Sequence, residues 1–509
     1  MMLNFFSTKR PDHPLGDAKE FKRVLAGLPQ DELKAIDEIY VWFESLRQSG
    51  DFRLDHLHEV VSGLDEAAQA FLRQLARRYL QTPRLSKNDE MCLWTMCFNY
   101  WGEVSWLYAS CLERFRKNPK DKGSEAFKKN FPLVATRLMA ARANQIKWIN
   151  YRYGVIGADL WHGLGLPYLA AEAEGYAQKS VQIYPGSSER SSVELQYLKV
   201  LVRESSSMGM LLPLEIELAD RLIVHFLPSF VFGKENQPGS MYWVDPSIDL
   251  PPTRLVQAPA QPSPDRRFFQ PGAAFQELDE LMRVIERGSI PGKLNLGTEY
   301  PAAELLKVLQ HLALYWAPAS PKREHVRHAV KSRMAVLQGF DNSLSVFAGH
   351  VSRLGVERLA ESWVVEDVSL GGFRAGMDEV GDWLAIGSLL CLQPEGGDNW
   401  VLGVVRRRSV GPDSRANIGI QTLSRNPQSL ELRPRTSGLS ATEAIPGILL
   451  HGDKTKEQIR LVLPPGGFNV RNILEYVDEE DRRYLLSPME LEESGKGFEI
   501  GVYRKLLAA

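Results

Sequence analysis

A chain of 509 residues is longer than one hydrophobic core serves, and the usual domain size makes it about three domains. With 61 Lys+Arg against 63 Asp+Glu, a net charge of −2 excludes a general electrostatic grip on DNA or on an anionic membrane. Cys92, Cys97, Cys111 and Cys391 form no CxxC pair and no zinc spacing, and the opening MMLNFFSTKRPDHPLG has no basic region followed by an apolar run. The expectation is a cytoplasmic protein without a secretory signal.

Residues 1 to about 228 read as helices throughout. After Asp31-Glu32-Leu33, apolar Ile36, Ile39, Tyr40, Phe43 and Leu46 recur at helical spacing, and similar patterns cover 54–80, 88–116, 123–152, 160–184, 190–207 and 213–226. The stretch 165–185 has the look of one tetratricopeptide helix pair, but no second copy follows at that period, so an unrelated bundle is expected. Residues 91–112 are long and apolar enough to raise the question of a membrane span. Asn99 and Glu103 stand near their middle, where polar groups are expensive, and Trp94, Cys97, Trp101, Ser105, Tyr108 and Cys111 trace one helix face. A buried core helix is expected, and no span.

Between 228 and 273 fall nine of the chain's 30 prolines, a composition that breaks helices and central strands alike. This segment reads as a linker or extended strap. Helical patterns resume at 274–287 and 301–316, the second opened by Pro301 and stopped by 317-APASP-321. The period then changes from 3.6 to 2: Val330, Ser332, Met334 and Val336 alternate with other residues, and apolar runs follow at 344–349, 363–369, 388–393, 399–407 and 417–423. Short strands with turns between them predict a small antiparallel barrel. A further β-rich tail holds runs at 447–452, 458–465, 484–488 and 498–504.

The organisation read from the sequence is therefore α+β multidomain. A helical N-terminal domain (1–228) precedes a Pro-rich linker (229–273), a helical connector (274–317), a barrel (318–425) and a β-rich C-terminal extension (426–509). Whether the extension is a second barrel or part of the first stays open.

Two motifs carry the chemistry. Arg323 and Arg327 stand four residues apart just ahead of the first strand, and 367-DVSLGG-372 places Asp367, Ser369, Gly371 and Gly372 in one turn after a later strand. In this order, on an all-β segment, they resemble the PilZ domain family of bacterial cyclic di-GMP receptors, whose signatures are an R-x-x-x-R arm and a [D/N]-x-S-x-x-G turn. The resemblance covers about 321–425, and the 400–407 and 418–423 strands resemble the family's closing pair. It implies a PilZ-like β-barrel that binds cyclic di-GMP through Arg323, Arg327, Asp367, Ser369, Gly371 and Gly372. It also implies that Lys322, directly before the arm, touches a second ligand molecule. Arg406, Arg407 and Arg408 either line the same site or blunt an edge strand, with Arg406 the one expected at the site.

These residue types suit that ligand on chemical grounds. A planar guanidinium meets the adjacent O6 and N7 acceptors of guanine with two parallel hydrogen bonds, or meets phosphate oxygens. A carboxylate complements guanine's N–H donors, Ser369 adds a small donor, and glycines let backbone approach closely. Bulk charge cannot substitute, since residues 321–424 hold 12 Lys+Arg and 12 Asp+Glu. Taken singly, the arm reads better as an Arg-bearing helix stub and the turn as an ordinary Asp-Ser-Gly hairpin; together they favour a ligand site.

Other candidates are weaker. The string 395-EGGDNW-400 looks like the signature of enzymes that make cyclic di-GMP but lacks its acidic fourth residue, and reads as a hairpin turn. Asp55, His56 and His58 sit on a charged helix without a further ligand nearby, and Ser205-Ser206-Ser207 has no partnered base. No metal, no cofactor and no catalysis are expected. The reading is a receptor that relays cyclic di-GMP binding to an unidentified protein partner through its helical region, with no DNA bound. Its rival is an interaction protein whose barrel has lost the nucleotide.

Overall fold

The computed structural model describes residues 12–507 apart from 51, 83–84, 188–189, 258, 260, 295, 297–299, 320–326, 351–358, 370, 382, 396, 398, 412–414, 436–443, 452–457 and 479. The chain forms two compact units, one of residues 1–208 and 213–321, the other of 209–212 and 322–509.

The first unit is mainly helical. It begins with α1 (Ala18–Gly27), α2 (Glu32–Gln48), α3 (Leu54–Gln81), α4 (Lys87–Lys117), α5 (Ser124–Lys128), α6 (Phe131–Tyr151) and α7 (Ala158–Ala173). A two-stranded hairpin, β1 (Val181–Gln182) and β2 (Arg190–Ser191), leads into α8 (Val193–Ser205) and α9 (Pro213–Phe226). The ends of α4 show why it stops where it does. Ser86 accepts from the Asp89 amide, Asp89 and Glu90 occupy the first turn, and Arg114, Arg116 and Lys117 the last, all favourable to the helix dipole. Cys97, Trp101, Ser105, Tyr108 and Cys111 are buried as the spacing implied, and no helix of the described residues is long and apolar enough to cross a membrane.

Two expectations change here. The helix expected over 160–184 ends at Ala173. Gly175, at φ 76°, closes it with the Tyr176 amide on the Ala171 carbonyl and its own amide on Glu172, a glycine-terminated cap. The Pro-rich segment is more than a strap. It folds into β3 (Val231–Gly233), β4 (Tyr242–Val244), β5 (Thr253–Arg254) and β6 (Arg267–Gln270), an antiparallel sheet in the order β3-β6-β4-β5. Strands of two to four residues leave the prolines in the connections, where a missing N–H breaks no ladder. Helices α10 (Ala274–Glu286) and α11 (Ala302–Trp316) complete the unit.

Several buried charges in this unit have hydrogen-bond or ion-pair partners. Tyr100 and Tyr108 each donate to one oxygen of Asp65 at 2.8 Å, and Arg137 reaches Glu66 at 2.6 Å. Asp220 takes Lys199 at 3.0 Å and Arg203 at 2.9 Å. Burial opposes ionisation of Asp220, yet Lys199, Lys147 and Arg203 together hold its carboxyl below the usual range.

The second unit is two closed antiparallel barrels. The first consists of β7 (His328–Gln338), β8 (Glu361–Ser369), β9 (Gly372–Met377), β10 (Leu389–Pro394), β11 (Val401–Val410) and β12 (Ala416–Ser424), in the order β10-β11-β12-β9-β8-β7. The second consists of β13 (Gln428–Pro434), β14 (Ile445–Leu450), β15 (Gln458–Leu463), β16 (Leu474–Val477), β17 (Arg483–Gly495) and β18 (Phe498–Leu507), in the order β13-β14-β15-β18-β17-β16. The β-rich extension is thus a barrel of its own. Closure leaves neither barrel an edge, so no arginine is needed to blunt one.

Between them lies a shared apolar cluster of Leu389, Leu402, Val404, Ile448, Val462 and Ile500. The helix α12 (Phe340–Phe347) packs into it through Phe340, Leu344 and Phe347. This corrects the strand expected at 344–349: apolar residues at i, i+4 and i+7 make one helical stripe, and that stripe closes the junction.

Candidate functional site

The Asp-Ser-Gly-Gly turn is the hairpin between β8 and β9, with Ser369 opposite Gly372, Val368 opposite Phe373 and Asp367 opposite Arg374. Trp363 and Val365 point into the barrel core, and simple alternation would send Asp367 after them. A register shift between Val365 and Asp367 inserts Glu366 and hands the next inward position to Val368, which packs on the core. The bulge thereby turns Asp367 to the outer face.

There Asp367 gathers two guanidinium groups. Arg327, one residue before β7, donates from Nη1 to Oδ1 at 2.7 Å. Arg374 approaches Oδ2 with Nε at 2.8 Å and Glu366 at 3.4 Å. Asp367 is 8% exposed beneath these side chains, whereas the Arg327 and Arg374 side chains stay 36% and 47% exposed.

Gly372 is demanded by packing. A Cβ there would lie 2.0 Å from the Ile420 carbonyl oxygen of β12, a backbone atom that cannot step aside. The Gly371 carbonyl accepts from the Thr422 amide at 3.0 Å, fastening the turn to the same strand. The Ser369 hydroxyl bonds the Gly372 carbonyl at 3.3 Å, and Arg425 donates to the Ser369 carbonyl at 3.2 Å.

Of the expected site residues, the structure brings Arg327, Asp367, Ser369, Gly371 and Gly372 together. Lys322 and Arg323 lie outside the described residues. Arg406 sits two strands from the turn with its fork on another partner: Nη1 and Nη2 meet both oxygens of Glu493 at 2.6 Å, and Nε donates to Gln421 at 2.7 Å. Glu493 belongs to β17, so this bidentate pair joins the two barrels. Arg408 donates to the Leu384 carbonyl, and Arg407 packs over Gly419.

Arg374 and Arg425 were not anticipated. Arg374 was within reach, because counting back from the Ser369–Gly372 pair sets Asp367 opposite Arg374. Arg425 follows the last strand of the first barrel, and nothing local in the sequence ties it to Ser369.

The other candidates settle into structural positions. His56 bonds the Leu15 carbonyl at 2.9 Å, and His58 lies buried beside Ser62 and the Phe127 ring. Ser205 and Ser206 bond back to the Leu201 and Val202 carbonyls at the end of α8. Among the described residues, no group of three or more His, Cys, Asp or Glu could hold a metal ion. The glycine string at 395–400 falls between β10 and β11.

Fold and site together define the class: a helical unit joined to tandem six-stranded barrels, the first bearing an Asp-centred arginine cluster on its outer face. Residues 19–235 match the family described as the cyclic-di-GMP receptor FimW, N-terminal domain. The match ends before the barrels begin. No curated protein matches the chain.

Proposed function

We propose that this protein is a cyclic di-GMP receptor, with the dinucleotide bound on the outer face of the first, PilZ-like barrel at Asp367. Two independent lines support the reading. The helical half is similar to the N-terminal domain of a cyclic-di-GMP receptor family, and the barrel half carries the arginine arm and the Asp-x-Ser-x-x-Gly turn. The observation that carries the assignment is the 2.7 Å pair between Arg327 and Asp367, one residue from each motif.

The chemistry runs as an exchange. Guanine's N1–H and N2–H compete with Arg327 for the Asp367 carboxylate. The displaced guanidinium then meets guanine O6 and N7 or a phosphate, joined by Arg323 from the same lead-in. A micromolar complex requires about 8 kcal/mol, and each bidentate arginine contributes roughly 1–3 kcal/mol. Neither motif suffices alone, so losing either abolishes binding. Lys322 stands where a second dinucleotide would be met.

Arg323 and Arg327 stand in the chain between α11 and β7, so binding there acts on the segment that joins the helical unit to the barrel. The relay is a ligand-dependent change in that connection, read by a protein partner of the helical region. It requires the dinucleotide to bind one arrangement more tightly than the other. Free Cys92, Cys97, Cys111 and Cys391 fit work in the reducing cytoplasm, and no catalytic role is assigned.

Isothermal titration tests the assignment with cyclic di-GMP, its linear form and cyclic di-AMP. Guanine-selective, near-stoichiometric uptake by the wild type, lost in Arg323→Ala and Asp367→Ala, is expected. Unaltered affinity in both variants would overturn it.

A further inference from the structure

Asp367 holds two guanidinium groups, and the second comes from a residue outside both motifs. Arg374 stands directly across the hairpin, its Cα paired with that of Asp367. Asp367 and Glu366 both approach it most closely through Nε, at 2.8 Å and 3.4 Å. The side chain is 47% exposed, so a ligand on the outer face can reach the guanidinium. The strand position fixes the Cα, and the Asp367 contact holds the guanidinium beside the carboxylate.

Guanine presents its polar groups in one order around its rim: the donors N2–H and N1–H, then the acceptors O6 and N7. A carboxylate beside an outward guanidinium presents the complementary order, an acceptor followed by a donor fork. Adjacent strands, about 4.8 Å apart, set the two side chains at a spacing that one purine rim can bridge. Adenine carries an amino donor where guanine carries O6, and so turns a donor toward a donor.

We infer that Arg374 is a third arginine of the cyclic di-GMP site and reads O6 and N7 of the guanine whose N–H donors bind Asp367. The inference rests on the receptor reading above. It gives the site a guanine-selecting element that belongs to the β8–β9 hairpin, distinct from the arm that carries Arg323 and Arg327.

The test pairs a protein change with a ligand change. Cyclic di-GMP and its analogue with 7-deazaguanine in place of both guanines are titrated into the wild type, Arg374→Ala and Arg374→Lys. In the wild type the missing N7 weakens binding about tenfold, within the range of a bidentate base contact. In Arg374→Ala the two ligands bind alike, because the group that distinguished them is gone. Arg374→Lys keeps a cation beside Asp367 and the wild-type melting temperature, but lacks the fork and also loses the distinction, which a purely structural role would not produce. A tenfold penalty that persists in Arg374→Ala overturns the inference and leaves the receptor reading standing. A wild type that takes up no cyclic di-GMP overturns both.

Discussion

Asp367 and Arg374 face each other across the β8–β9 hairpin, 2.8 Å from Oδ2 to Nε, and one bulged residue, Glu366, turns the pair to the outer face of the barrel. The carboxylate is thereby built into the outer face at a fixed position and is nearly covered by the cations it holds.

Asp367→Ala separates binding from stability. Both arginines keep substantial exposure, so water takes over their hydrogen bonds, and the loss should be about 1 kcal/mol, as for other solvent-screened pairs. Cyclic di-GMP binding should disappear. Urea denaturation and titration on the same variant check the two halves, and a large stability loss would mark Asp367 as structural.

Gly372→Ala inverts that pattern. The new methyl would lie 2.0 Å from the Ile420 carbonyl oxygen, and relief requires β9 and β12 to part. A cost of about 3 kcal/mol is expected, the upper part of the overpacking range. The midpoint of urea unfolding reads it, and the turn loses the dinucleotide with its geometry. A near-wild-type midpoint would show that the two strands separate easily.

Much of this was legible in local pattern, and the remainder turned on partners far along the chain. The buried face of α4 follows from helical spacing, and its ends follow from Ser86 and the basic last turn. The strand expected at 344–349 failed because a six-residue apolar window cannot show the stripe that begins at Phe340. The prolines of 228–273 rightly excluded long elements and concealed short ones. Arg374 could have been found by counting back across the turn. Arg406 could not, since Glu493 is 87 residues away on a barrel whose placement no local pattern encodes.

Arg406 provides the contrasting variant. With Nη1 and Nη2 both on Glu493 at 2.6 Å, Arg406→Ala and Glu493→Ala should each lower stability by about 1 kcal/mol, typical of a partly exposed bidentate pair. The double variant should lose little more than either single one, the sign of a direct pair in a mutant cycle. Cyclic di-GMP affinity should stay at the wild-type value. Loss of binding at unchanged stability would return Arg406 to the site.

His58 makes the helical unit sensitive to acid, independently of any ligand. Burial brings its imidazole down to about 4 from the ordinary 6.5, and the nearby Arg137 guanidinium adds to the effect. The ring sits against Phe127, with Ser62 Oγ 3.2 Å from Nε2, so the folded chain holds it neutral. The unfolded chain binds a proton below its usual pKa while the folded chain does not. Stability from the neutral ring is therefore complete above pH 6.5 and is lost progressively as pH falls toward 4, where the folded ring also protonates. At pH 5 the loss is about 2 kcal/mol, from roughly 1.4 kcal/mol per unit. His58→Gln can keep the Ser62 hydrogen bond without titrating, so its melting temperature should fall less than the wild type's between pH 7.5 and pH 5. Equal falls in both proteins would place the acid sensitivity elsewhere, in carboxylates such as Asp220 whose charge is stabilised by lysine and arginine.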